Sequence, residues 1–84
     1  MKTIWKWGLA PVSEVLVPVG SVILDVQLQH SSPVLWALVD TDAPTETRRF
    51  RCYGTGHKMP DDPGRYIGTF QVEGLVFHVF EESF

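Results

Sequence analysis

The densest group of side chains able to bind a ligand lies in Tyr53-Gly54-Thr55-Gly56-His57-Lys58-Met59-Pro60-Asp61-Asp62-Pro63-Gly64-Arg65. Glycines on both sides of Thr55 let successive backbone N–H groups turn toward an anion. His57 can donate a hydrogen bond, act as a base or respond to pH. Arg65 offers bidentate contacts to phosphate, and Tyr53 offers a ring on which a base could stack. Tyr53, Gly54, Thr55, Gly56, His57 and Arg65 are therefore the candidate ligand-binding residues, and the ligand class they suggest is a small anion. The plainer reading is that Gly54 and Gly56 only permit positive φ in an irregular turn. No Gly-Lys-Ser/Thr ending follows, and no helix, so neither a nucleotide P-loop nor a dinucleotide-binding fold is supported.

Other chemistry is poorly provided for. His30, His57 and His78 show no His-x-x-x-His, Cys-x-x-Cys or carboxylate–His spacing, which argues against a metal site. Asp61 and Asp62 are adjacent, point in different directions and make a poor acid–base pair, while Asp62-Pro63-Gly64 is ordinary turn chemistry. Cys52, the single cysteine, cannot form an intramolecular disulfide and lacks a convincing base, so it reads as a small buried apolar residue. No catalytic residues, metal or cofactor are expected. Arg48, Arg49 and Arg51 form either a local anion site, with Arg65, or the solubilising charges of an edge strand. Trp5 and Trp7 share one strand face opposite Lys6. Core or subunit-interface packing suits them better than base stacking, and Trp36 reads as core.

The elements that must position these groups read as β-strands. Val22, Leu24, Val26 and Leu28 alternate with polar residues from Ser21 to His30, with Ile23 the one apolar residue on the polar side. Val34–Val39 is apolar on both faces, as in a central strand. Thr47–Tyr53 alternates, with Phe50 and Cys52 opposite Arg49, Arg51 and Tyr53, and the acidic turn Asp40–Glu46 suggests that it pairs with Val34–Val39. Arg65–Val72 and Leu75–Phe80 flank Glu73-Gly74 as a hairpin. Gly68 inside the first of these marks a bulge or a close backbone approach. Thr3–Trp7 and Glu14–Val17 are shorter strands, and Pro18 restricts the second to a sheet edge. The fold class is all-β: a small antiparallel β-sandwich or partly open barrel of about seven short strands in one domain, residues 1–84. Glu81–Phe84 reads as a tail, with Phe84 able to dock.

A chain of 84 residues with 44% apolar and 20% charged side chains is long enough for one core and too short for two. Its net charge of −3 argues against general nucleic-acid binding. No apolar run is long enough for a signal peptide or a membrane span, so a cytoplasmic protein without membrane contact is expected. A core this small gains from self-association, and a pocket between subunits would enclose a ligand better than one shallow domain, so a homo-oligomer is expected.

Met1-Lys2-Thr3-Ile4-Trp5-Lys6, Leu35-Trp36-Ala37-Leu38-Val39-Asp40, Tyr53-Gly54-Thr55-Gly56-His57 and Tyr66-Ile67-Gly68-Thr69-Phe70-Gln71 resemble a family of small phage and prophage proteins. The resemblance covers nearly the whole chain and carries no catalytic residues. It implies a viral accessory protein in the host bacterial cytoplasm. By analogy with other small phage proteins, the expected role is anti-defence: non-enzymatic sequestration of a nucleotide signal. The alternatives are a protein–protein inhibitor of a host defence enzyme, presenting a sheet edge or the long loop, and a minor virion component.

Overall fold

The computed structural model describes residues 1–83. Seven antiparallel-paired strands follow in chain order: β1 (Lys2–Gly8), β2 (Val12–Pro18), β3 (Val22–Gln29), β4 (Ser32–Asp40), β5 (Thr45–Gly54), β6 (Arg65–Val72) and β7 (Leu75–Glu81). They form a three-stranded sheet, β1-β4-β3, packed on a four-stranded sheet, β2-β5-β7-β6. The fold is thus a small β-sandwich and not a closed barrel. No helix of the described residues is long and apolar enough to cross a membrane. The docking suggested for Phe84 lies outside the described residues.

Alternation decides which side chains fill the space between the sheets. Val15 and Val17 of β2, Phe50 of β5, Val79 of β7, Phe70 of β6, Val26 of β3 and Leu35 of β4 make the buried cluster. Trp7, Ile23, Leu28 and Phe77 pack around it. Pro18 ends β2, which is an edge strand, where a missing N–H costs no ladder bond.

Turn chemistry sets the two hairpins. Glu73 and Gly74 both take positive φ, 49° and 79°, the conformation a two-residue type I′ turn requires. His30 and Ser31, at 51° and 66°, do the same between β3 and β4 without a glycine.

Three expectations need correction. The acidic turn does not pair β4 with β5. β4 lies between β1 and β3, while β5 lies between β2 and β7, so residues 41–44 carry the chain from one sheet to the other. Alternation on both runs was compatible with either pairing, and a corner turn resembles a loose hairpin turn in composition. In β3, the register shifts between Ile23 and Asp25, leaving Leu24 as the extra residue of a bulge. Ile23 therefore packs inward while Val22 and Leu24 are exposed, because one inserted residue reverses the phase of the alternation. Trp36 is not in the core. Leu35, Ala37 and Val39 on either side of it are fully buried, so Trp36 must point to the outer face, where it is half-buried.

Gly68 answers to both meanings of a strand glycine. β6 bulges between Tyr66 and Gly68, and a Cβ at Gly68 would sit 2.7 Å from Cγ1 of Val26. β6 packs directly on β3 here, and a side chain at 68 would have to displace Val26.

Candidate functional site

The long connection has a topological cause. β5 and β6 both run antiparallel to β7 and flank it, so they are parallel to each other. Parallel strands cannot be joined by a tight turn. β5 ends with Gly54 opposite Phe77, and β6 begins with Arg65 opposite Glu81. The four-residue offset is about 13 Å along β7 and two strand spacings add about 10 Å across it. Residues 55–64 cover that return. The same offset keeps Arg65 roughly 16 Å from Gly54 by these spacings, so Arg65 does not join the glycine turn.

Gly54, Thr55 and His57 do come together. They line one side of a surface cleft of about 440 Å³, with Gly74, Leu75, Val76 and Phe77 on the other. The His57 amide donates to the Gly54 carbonyl at 3.1 Å, closing a β-turn whose third residue, Gly56, has φ of 86°. A left-handed φ at that place is what makes glycine suitable there. The His57 ring lies over Gly54, within 2.9–3.3 Å of where a Cβ would stand. Any other residue at 54 would displace the imidazole.

The anion-binding features are largely committed elsewhere. The Thr55 amide donates to the Val76 carbonyl at 3.0 Å, and the His57 amide is used in the turn. Arg48 points inward and forms a bidentate pair with Glu81, Nε–Oε2 2.5 Å and Nη2–Oε1 2.7 Å, and also donates to the Ser21 carbonyl at 2.6 Å. Both side chains are only 16% exposed, and the carboxylate raises the Arg48 pKa above its ordinary value. Arg49 pairs with Glu14 at 3.2 Å and Arg51 with Glu82 at 3.6 Å. β5 is an interior strand, so the edge-strand reading of these arginines also falls.

A second constellation was not singled out from the sequence. On the outer face of the four-stranded sheet, His78 is held by two threonines: Thr55 Oγ1 lies 2.7 Å from Nε2, and Thr69 Oγ1 lies 3.0 Å from Nδ1. Tyr66 Oη is 2.6 Å from Thr69 Oγ1, and Thr55 Oγ1 donates to the Val76 carbonyl at 3.4 Å. One proton arrangement satisfies every group. Tyr66 donates to Thr69, Thr69 donates to Nδ1, Nε2–H donates to Thr55, and Thr55 donates to the carbonyl. In that arrangement the ring proton sits on Nε2. Phe80 packs edge-to-face against Tyr53 and Tyr66, with ring centroids 5.9 and 5.6 Å apart. The signal for this group was available. Counting back from the Glu73-Gly74 turn places Thr69 opposite His78.

The remaining candidates lie apart from the cleft. Tyr53 faces outward beside Phe80, so part of its ring is already in contact. Trp5 and Trp7 meet edge-to-face at 6.3 Å, with Trp7 packed on the core, in keeping with packing at the β1 edge. Cys52 borders an apolar recess of about 290 Å³ between the sheets, and burial raises its thiol pKa. Among the described residues, no three His, Cys, Asp or Glu side chains cluster to hold a metal ion.

Fold and site together define a small two-sheet β-sandwich with a cleft at the turn end of its larger sheet. The chain matches the model of the domain of unknown function DUF7352 across residues 1–84 and belongs to that family. No curated protein and no solved structure matches it.

Proposed function

We propose that the chain is a non-enzymatic binding protein whose cleft at Gly54, Thr55 and His57 captures a small nucleotide-type ligand. The supporting observation is the cleft itself, about 440 Å³, with Thr55 and His57 on one wall and Leu75, Val76 and Phe77 on the other. That volume and mixture of apolar wall with a few polar groups suit a small organic ligand. Because the nearby amides and most arginines are already engaged, the ligand's base and ribose would fill the cleft, and its phosphate would extend toward solvent. The resemblance to small phage and prophage proteins supports an anti-defence setting in the host bacterial cytoplasm. Calorimetry with a panel of nucleosides and cyclic or ADP-ribose-type nucleotides tests this reading. Binding at micromolar concentrations, weakened roughly fivefold by Thr55→Ala through loss of one hydrogen bond, is the expected result. No heat from any member at those concentrations would sink it.

A protein–protein inhibitor of a host defence enzyme is the second reading. Its support is the connection from Thr55 to Asp62, every residue of which is exposed. Deleting residues 58–61 would then abolish capture of a host protein while leaving nucleotide binding untouched.

A further inference from the structure

The three-stranded sheet turns to solvent an outer face with an apolar centre, bordered by Lys2, Asp40, Gln27 and Gln29, and no element of the described residues packs over it. Its register sets rows across β1, β4 and β3: Ile4, Leu38 and Val22 form one, and Lys6, Trp36 and Asp25 form the next. Ile4 is 56% exposed and Val22 54%, and the bulge adds Leu24 at 48%. An antiparallel sheet with a wet outer face ordinarily alternates polar residues there. The molecule is also thin, 40 × 31 × 15 Å, so this face is a large share of its surface. Contiguous apolar area of this kind marks an interaction site.

We propose that the face is the interface of a symmetric dimer, occupied by a second copy of the chain. The charge pattern identifies the occupant. When two copies pack face to face, their two-fold axis lies in the plane of contact. Set along β4, that axis carries β1 of each copy over β3 of the other. Lys6 then meets the partner's Asp25, and Asp25 meets the partner's Lys6. Trp36 faces the partner's Trp36, and Ile4 faces the partner's Val22. An axis set across the strands at the Trp36 row would instead bring Lys6 onto Lys6 and Asp25 onto Asp25, a like-charge arrangement that costs affinity. The Lys6–Trp36–Asp25 row is therefore complementary to itself when the two β4 strands run parallel. Asp40, at the end of β4, then faces the partner's Asp40, each offset by its own Met1 amino terminus at 3.3 Å.

Both charges retain capacity for this contact. Lys6 Nζ donates one hydrogen bond, to Gln29 Oε1 at 2.7 Å. Asp25 accepts from the Val26 amide and from Gln27 Nε2, each at 2.8 Å. An ammonium has further N–H groups and a carboxylate further lone pairs. Three strands of seven residues give a footprint of roughly 14 by 24 Å. That is roughly 340 Å² per copy, below the size of standard specific interfaces, so weak association, in the range of hundreds of micromolar, is expected. The cleft belongs to the other sheet and stays open in this dimer.

Sedimentation velocity on the full chain, from low to several hundred micromolar, tests the proposal. The wild type should shift from monomer to dimer. Lys6→Asp and Asp25→Lys should each weaken the dimer by roughly tenfold or more, and mixing the two variants should restore it as a heterodimer. Asp25 also braces the bulge, so Ile4→Glu on the edge strand serves as an independent variant. It should be monomeric with an unchanged circular dichroism spectrum. A wild type that stays monomeric at the highest concentration overturns the proposal, whether or not the face takes another protein. So does a dimer indifferent to the charge reversals or to Ile4→Glu.

Discussion

On the outer face of the four-stranded sheet, Arg49 meets Glu14, Arg51 meets Glu82, and His78 is fixed between Thr55 and Thr69. On the outer face of the three-stranded sheet, Ile4, Val22 and Leu24 stand in water beside Trp36, with Lys6 and Asp25 at the flanks. The first face pairs its polar groups within the chain, with exposed apolar side chains such as Leu16 and Tyr66 on its two edge strands. The second leaves apolar area in water and two opposite charges that, among the described residues, bond only to neutral partners. Both sheets use the same two-residue alternation, so the difference comes from what each strand places on its outward positions. It implies a division of labour: changes on the first face should cost stability, and changes on the second should cost association.

The largest expected effect is at the ion pair beneath the four-stranded sheet. Arg48→Ala leaves Glu81 as an unpaired, largely buried carboxylate and should lower unfolding free energy by about 3 kcal/mol. Urea denaturation measures it, and a loss below about 1 kcal/mol would mean that the pair is effectively solvated. Gly68→Ala comes next, since its Cβ would stand 2.7 Å from Val26 Cγ1. Overpacking there should cost about 1–3 kcal/mol. The cost should shrink when Val26→Ala is added, and a double-mutant cycle reads the coupling.

His78→Ala should cost about 1 kcal/mol, because two threonine hydroxyls lose a partner near the surface. If stability is unchanged, the outer face of the four-stranded sheet is less self-contained than its hydrogen bonds suggest. Leu38→Thr, on the outer face of the three-stranded sheet, should change stability by about 0.5 kcal/mol or less while weakening association. A large stability loss from that change would erase the contrast between the faces.

Cys52 gives the smallest effect. Burial raises its thiol pKa, so alkylation near pH 8 should run slower than for a free thiol. The sign follows from the neutral form being favoured in the folded state. Any stabilisation this gives is present below the unfolded pKa and is lost as pH rises through the folded one.

The strands and the β6–β7 hairpin were legible because local residues decide them. Alternation marks the runs, and Glu73-Gly74 accepts the positive φ that a tight turn needs. The sheet assignment of β5 was not legible, since its alternation fits either neighbour and only the global packing selects β2 and β7. The β3 bulge leaves one trace in the sequence, Ile23 on the polar side of the alternation, and a single apolar exception does not by itself reveal a change of phase. For the candidate site, residue types identified Gly54, Thr55 and His57, which share a cleft. They could not show that Arg65 starts β6 on the far flank of β7. Loop length misled for the same reason: much of it is needed to return the chain for a parallel strand.

Amide chemical shifts of isotopically labelled protein, followed by NMR from low to high concentration, would test the contrast between the faces most directly. The account predicts concentration-dependent shifts confined to β1, β3 and β4, centred on Ile4, Lys6, Asp25 and Trp36, with Tyr66, Thr69 and His78 unmoved. Shifts centred on the four-stranded sheet, or none at any concentration, would contradict it.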